Sequence, residues 1–238
     1  MSTATLAIVI PAKNEAQLLP RLLASLARQT YCRRSSPKVF VADAASTDGT
    51  PEIAARFAGS LDLSVIPGGY PSTGRNAGAR LAESDYLLFL DADMELRDPA
   101  LIERGVERMQ KRRLHCLTTS IWCSGGGWLD QAVYLGNNIV QVLSWPAMPF
   151  STGMFMMFDR RRFWELGGFD EHILYAEDYW LSKQVSPARF AVIRGGVFTT
   201  NRRFRKMGHF RIACMFLRTA LNSGNRGYFL RDHKYWEA

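Results

Sequence analysis

No run of apolar residues approaches the ~18 needed for a membrane-spanning helix, so no spanning helix is expected. Cysteine is scarce, four in 238 residues, and Cys32, Cys116, Cys123 and Cys214 form no C-x-x-C pair. That spacing offers neither a zinc pattern nor a disulfide framework, and the thiols are expected to be reduced, as in a cytoplasmic protein. No basic stretch precedes the first apolar run, Leu6-Ala7-Ile8-Val9-Ile10, so no secretory leader is expected. Repeats, low-complexity tracts and linker-like segments are also lacking, which points to one domain over 1–238. Two phosphate-binding signatures fail as well. No G-x-G-x-x-G follows the first apolar run, and Gly69 to Gly74 has P-loop spacing but continues as Arg75-Asn76 where Lys and Ser/Thr are required.

What is present is an ordinary globular composition, 47% hydrophobic and 22% charged, with an unevenly placed charge. Residues 199–238 hold nine Lys/Arg and two Asp/Glu, a net +7, whereas the remainder holds 21 and 20, a net +1. The body is nearly neutral and the C-terminal tail is basic.

The first half alternates strand-like and helix-like segments. Leu6 to Ile10, Val39 to Val41, Leu61 to Ile66 and Tyr86 to Leu90 read as strands. Between them, Asn14 to Gln29 carries leucines at helical spacing, and Thr50-Pro51-Glu52 reads as a capped helix start. Arg75 to Ala82 reads as a short helix, and Asp98-Pro99 opens another. Such alternation predicts an α/β fold with a mostly parallel sheet covered on both faces. In the second half, Leu114 to Ile121 and Met154 to Phe158 read as strands. Trp128 to Leu143 and Glu177 to Val185 read as helices.

Ligands of such folds bind outside the carboxyl ends of the strands. The polar clusters fall there: Pro11-Ala12-Lys13-Asn14-Glu15, then Asp43, then Asp91-Ala92-Asp93. Two carboxylates one residue apart at a strand exit call for a partner, and Mg²⁺ typically takes one or two carboxylates and fills its other sites with phosphate and water. Taken alone, a D-x-D in a loop is more often a pair of solvated acids; its convergence with the other clusters favours a site.

Ile8 to Glu15 resembles the opening motif of glycosyltransferase family 2. Asp43-Ala44-Ala45-Ser46-Thr47-Asp48-Gly49-Thr50 resembles its second motif and Gly74-Arg75-Asn76-Ala77-Gly78 its third. Asp91-Ala92-Asp93 resembles its metal-binding D-x-D, and Gly167 to Glu171 with Glu177-Asp178 resembles its acceptor loop and E-D motif. The ordered set runs from Ile8 to Leu181. The resemblance implies a GT-A fold, with a nucleotide-sugar-binding half at 1–97, an acceptor-binding half at 98–200 and the basic tail at 201–238. It implies a nucleoside-diphosphate sugar donor, most often UDP-linked, with Mn²⁺ or Mg²⁺ as cofactor. By the same resemblance Pro11, Ala12, Glu15 and Asp43 would contact base and ribose, with Asn14 in the same cofactor-binding set. Arg75, Asn76, Asp91 and Ala92 would line the nucleotide pocket, with Arg75 near the diphosphate. Asp91 and Asp93 would hold the sugar and the metal, with Asp93 the direct metal ligand of choice. Asp178 would be the catalytic base of an inverting transfer, and Gly153, Met154 and Glu177 would lie on the acceptor side.

Each element has a blander reading. Asn14-Glu15 can simply begin a helix, Asp48 is better read as a turn or cap residue, Glu177-Asp178 can be a solvated first turn, and Gly153-Met154-Phe155 can be plain core. His172 and His209 are left out of the metal set as surface histidines. The chain departs from the family where Ala44 stands in place of a second acid. Gln184 followed by Ala188-Arg189-Phe190 does not fit the Q-x-x-R-W of processive members, so transfer of a single sugar is expected. A dehalogenase-type phosphatase would need Thr where Glu95 stands.

The acceptor class stays open among glycan, lipid-linked and small-molecule alcohols, and nucleic acid is not expected as a partner. Four readings apply to the tail, with Arg202-Arg203-Phe204-Arg205-Lys206 and the apolar run Phe210 to Leu217. They are a lid over the diphosphate, an interfacial helix at the inner face of a membrane, a packed helix with a solvated basic face, or nucleic-acid binding. The rival from another class is an inactive GT-A domain serving as an assembly partner.

Overall fold

The structure, a computed structural model, describes residues 4–231 and 233. Its centre is a seven-stranded sheet. In chain order the elements are β1 (Leu6–Ala12), α1 (Leu19–Ala27), α2 (Thr30–Ser35), β2 (Lys38–Asp43), α3 (Thr50–Ala55), β3 (Asp62–Pro67), α4 (Pro71–Leu81) and β4 (Tyr86–Phe89). Next come α5 (Leu101–Arg112), β5 (Cys116–Cys123), α6 (Trp128–Ser144), β6 (Met156–Asp159), α7 (Arg160–Glu165), α8 (Glu177–Ser182), a 3-10 turn at Pro187–Arg189 and β7 (Phe190–Thr199). Three helices close the chain: α9 (Arg202–Met207), α10 (His209–Leu221) and α11 (Arg226–Phe229).

The strand order is β3-β2-β1-β4-β6-β5-β7. All pairings are parallel except those of β6, which runs antiparallel between β4 and β5. The expected α/β class with a mostly parallel sheet is therefore observed. Side chains of a strand alternate between faces. Accordingly Leu6, Ile8 and Ile10 of β1 enter one core layer with Leu88, and Ala7 and Val9 enter the other with Leu87 and Phe89. Both faces of the central strands are covered, which is why their sequence is continuously apolar rather than alternating.

Small residues bring α4 down onto this sheet. A Cβ at Gly78 would collide with the Val9 side chain, and one at Gly74 would lie 3.2 Å from the Ala42 Cβ. The helix starts at Pro71, four residues before the expected Arg75, with Pro at a position that needs no donor. Conversely, the helix expected from Asn14 begins only at Leu19, because Asn14 has a left-handed φ of 54°. Thr50 is not the cap of α3. Gly49 occupies that position, and the Thr50 hydroxyl donates to Asp48 Oδ1 at 2.5 Å instead. The β7 strand was not expected at all; its register against β5 shifts between Thr119 and Ser120, beside Gly195-Gly196.

No described helix is long and apolar enough to cross a membrane. The described cysteines are free, three of them buried, and burial pushes the Cys32 thiol up to about 12.

Candidate active site

Two loops at the carboxyl ends of β1 and β2 are stitched together. Ala12 and Asp43 face each other as the last registered pair of the two strands. Beyond them the Asn14 N–H donates to Ser46 Oγ at 2.8 Å and the Thr47 N–H donates to Asn14 Oδ1 at 2.9 Å. The Glu15 N–H donates to Thr50 Oγ1 at 2.9 Å, and the Ala16 N–H donates to Asp48 Oδ2 at 3.0 Å. Asp48 thus has the turn-holding role that the bland reading gave it. Asp43 takes the Ser46 N–H on Oδ2 at 3.0 Å, while its Oδ1 is buried without a partner among the described residues. That residue borders a cleft of about 610 Å³, continued by Ala44, Val65, Ile66 and Gly68. A buried carboxylate oxygen left without a donor is costly; at the rim of a cleft it is a ready acceptor for a ligand N–H.

The second cluster lies where β1 and β4 end. Arg202, from the start of α9, grips the Glu15 carboxylate with both arms, at 3.0 and 2.5 Å. The same guanidinium lies 3.8 Å from Asp93 Oδ2, which also accepts the Thr199 hydroxyl at 3.1 Å. Burial raises the pKa of Asp93 above the ordinary carboxylate range, and the charge of Asp91 adds to it. Burial raises Glu15 as well, against the pull of Arg202. Negative charge here is only partly compensated by protein.

Asp91 joins this cluster to a third. Arg75, 1% exposed, donates through Nη2 to Asp91 Oδ1 at 2.6 Å and through Nη1 to Glu177 Oε1. Its Nε has no partner among the described residues, and its Cζ stands 5.3 Å from the centre of the Phe169 ring. Gly153 makes room for it, since a Cβ there would reach within 2.8 Å of Arg75 Cζ. Asp178 sits next to this ion pair and accepts the Gly153 N–H at 2.5 Å and the Tyr179 N–H at 2.7 Å. Burial raises the pKa of Asp178, with Arg75 pulling it down. Burial likewise pushes Glu177 up to about 7 against the Arg75 charge.

The residues singled out from sequence therefore divide. Arg202 ties Glu15 to Asp93, and Arg75 ties Asp91 to Glu177, with Gly153 and Asp178 bonded to each other beside it. Asn14 and Asp43 hold the neighbouring loops. Ala12 and Ala92 are buried, and Pro11 and Met154 half-buried, beside them. Asn76 stands apart. Its amide donates to Phe169 O and Glu171 Oε1, both at 2.8 Å, and its Oδ1 accepts the Phe169 N–H at 3.0 Å, so it pins the loop after Gly167. His209 pairs with Asp130 at 2.6 Å, and His172 is exposed; both stay outside the acidic cluster.

Arg202 and Thr199 were not assigned from the sequence. Arg202 opens the basic run that composition had marked, but nothing local says that it turns back to Glu15. Thr152, whose buried hydroxyl has no partner among the described residues, was hidden beside Gly153.

No cluster of three or more His, Cys, Asp or Glu forms a metal cage among the described residues. The donors on offer, Asp91 and Asp93, are hard carboxylate oxygens, the first shared with Arg75 and the second short of a full positive partner. That set suits Mg²⁺ or Mn²⁺ completed by phosphate and water, and not a softer metal.

The sequence profile of "Glycosyl transferase family 2" matches residues 7–167. The 4,4'-diaponeurosporenoate glycosyltransferase of Staphylococcus haemolyticus is 30% identical over 117 residues, 47% of this chain and 30% of that protein. The chain spans under half the length of the curated relatives it matches. Among solved structures, S. aureus TarS in complex with UDP-GlcNAc superposes with a TM-score of 0.66 at 20% identity, over 83% of this chain and 59% of that one. The mannosyltransferase PcManGT of Pyrobaculum calidifontis, in complex with GDP-Man and Mn²⁺, superposes at 0.68 with 21% identity, over 90% and 65%. The fold is thus that of these glycosyltransferases.

Proposed function

The chain belongs to glycosyl transferase family 2, and on that premise we propose that it moves a single sugar from a UDP-linked donor to an acceptor hydroxyl, with inversion. The observation that carries this reading is a pair of ion-paired clusters, Glu15–Arg202–Asp93 and Asp91–Arg75–Glu177, the first ending on Asp93 and the second starting two residues away on Asp91, with Asp178 following Glu177 and within electrostatic reach of Arg75. It supports a reading in which Asp91 and Asp93 act as the metal pair and the buried Asp178 as the base.

In this reading Asp43 Oδ1 accepts an N–H of the base in the cleft beside β3, and Glu15 and Asn14 order the loop over the ribose. Asp93, with Asp91 beside it, would hold Mn²⁺ or Mg²⁺, whose Lewis acidity neutralises the departing diphosphate. Arg202 lies close enough to Asp93 to share in that neutralisation. Asp178 takes the proton of the acceptor hydroxyl as its oxygen bonds to the anomeric carbon and the bond to the diphosphate breaks. Attack from the side opposite the leaving group inverts that carbon. The backbone N–H groups of Gly153 and Tyr179 fix the Asp178 carboxylate, so it is positioned before the acceptor arrives. Arg75 orders the carboxylates around it and does not itself reach solvent.

Thermal-shift measurements across UDP- and GDP-sugars, with and without Mn²⁺, test the donor half. A UDP-sugar is expected to stabilise the protein, more so with Mn²⁺. Asp178→Asn tests the other half: transfer should fall by about 10²–10⁴-fold while the nucleotide shift persists. Unchanged turnover removes Asp178 as base. No stabilisation by any donor leaves the chain an assembly partner rather than an enzyme.

A further inference from the structure

The α6 helix is built inside out. Its inward side chains are polar: Asp130, Asn138 and Gln141 are buried together with Tyr134. They have backbone to satisfy, because β6 pairs with β5 only over Cys116 to Thr118. Beyond that stretch Asn138 donates to Ile121 O at 2.9 Å and accepts the Ile121 N–H at 3.0 Å. Gln131 donates to Cys123 O at 2.7 Å. Amide side chains thus stand in for a missing strand. The consequence is on the other face. Trp128, Leu135, Ile139 and Leu143 follow one another at helical spacing on the outside, with Trp128 77% and Leu143 74% exposed. No charged residue interrupts that stripe, since the single charged side chain of α6, Asp130, is buried.

The α10 helix lies against α6. His209 pairs with Asp130, and Phe204, just before it, meets the Tyr134 ring at 5.2 Å. Ile212 turns into the core, and the opposite side of the helix is again apolar. Phe210 is 83% exposed, Leu217 61% and Leu221 76%. Here, however, the apolar side is flanked by cations. Arg205, Lys206, Arg211 and Arg218 are exposed and take no carboxylate partner among the described residues.

Scattered exposed leucines need no explanation, but two adjoining helices that both turn apolar stripes outward do. We propose that the outer faces of α6 and α10 together dock on an anionic lipid surface, the apolar side chains entering the headgroup boundary and the flanking cations meeting lipid phosphates. Charge complementarity chooses this occupant. A second copy of the chain related by a twofold axis would bring the same cations of α10 face to face, whereas an anionic bilayer neutralises them. Apolar area with Trp at the rim and Lys/Arg alongside is the pattern of a helix lying in the interface. The surface also adjoins the proposed site, because α9 carries Arg202 to Glu15 and the chain leaving α6 runs on to Gly153.

The test is co-sedimentation of the full chain with phosphatidylcholine vesicles, with and without phosphatidylglycerol, and it needs no sugar donor. The protein should pellet with the anionic vesicles. The triple variant Ile139→Gln, Leu143→Gln, Phe210→Gln changes only exposed positions and should keep the parent's melting temperature while losing at least ten-fold in partitioning. Arg211→Gln and Arg218→Gln should each cost roughly five-fold, on anionic vesicles only. Failure to pellet, or equal pelleting of the triple variant, overturns the proposal. So does a concentration-dependent dimer of the parent that the triple variant abolishes, which would make the same face a contact between copies.

Discussion

Arg75 shows what one buried guanidinium demands of its surroundings. Its charge is 1% exposed, and desolvating it is tolerable only because Asp91 and Glu177 stand at hydrogen-bond distance. Removing the guanidinium leaves the buried Glu177 and the half-buried Asp91 without the cation that pairs them. Arg75→Met is therefore expected to destabilise the fold by about 3–5 kcal/mol in urea unfolding. The milder Arg75→Lys keeps the charge but not the planar, two-armed geometry, and its readout is the rate–pH profile. Asp178 can take a proton only when ionised, and burial holds its pKa above the ordinary Asp value. Transfer should accordingly fall away as the pH drops through that raised value. Since it is the Arg75 charge that pulls it back down, Arg75→Met should move the acid limb to higher pH, and Arg75→Lys, which keeps a cation there, should move it much less. An unmoved limb in Arg75→Met would separate Arg75 from the proposed base.

The α6 helix makes the corresponding point for an element. A hydrophobicity rule would replace Asn138 by Leu and expect a gain, because the position is buried. The structure gives the opposite sign. Asn138→Leu strands the N–H and C=O of Ile121, and a cost of at least ~2 kcal/mol is expected. Ile139→Gln, one residue on and 48% exposed, should stay within about 0.5 kcal/mol of neutral. Urea melts of the two variants distinguish an inside-out helix from an ordinary one. This element also marks the limit of what the sequence shows. The spacing of Trp128 to Leu143 announces a helix, but which face turns inward depends on a stretch of β5 whose β6-side edge has no strand partner, and no local pattern encodes that. Strands β1, β2 and β4 were legible because both their faces are buried and the apolar run is unbroken. The last strand was not, because Arg194-Gly195-Gly196 interrupts it at the register shift. The site divides the same way. Asp43, Asp91 and Asp93 could be placed at strand ends, whereas Thr199 and Arg202 reach Asp93 only through the path of β7 and α9.

Across the whole molecule, stability is unevenly shared. The seven strands form one sheet with core on both faces, while the three C-terminal helices attach to it through fewer ties. Those ties include Arg202 to Glu15, 187 positions apart, His209 to Asp130 and the Lys183 ammonium to the Ser223 carbonyl at 2.5 Å. The first of them holds the start of the basic segment over the acidic cluster. It is a two-armed pair, but Arg202 is nearly half exposed, so solvent screening limits its worth to about 1 kcal/mol. Arg202→Gln should thus barely change global unfolding. Local opening is a different quantity, set by the few contacts that hold an element down. Hydrogen exchange should quicken through α9 and α10 in this variant while β1, β2 and β4 keep the parent's protection. If the exchange of α9 and α10 is unchanged, the Ile212 and Phe204 packing, and not the ion pair, holds the segment in place. In that case the basic segment would be anchored from the α6 side, and its position over Asp93 would be a consequence of core packing alone.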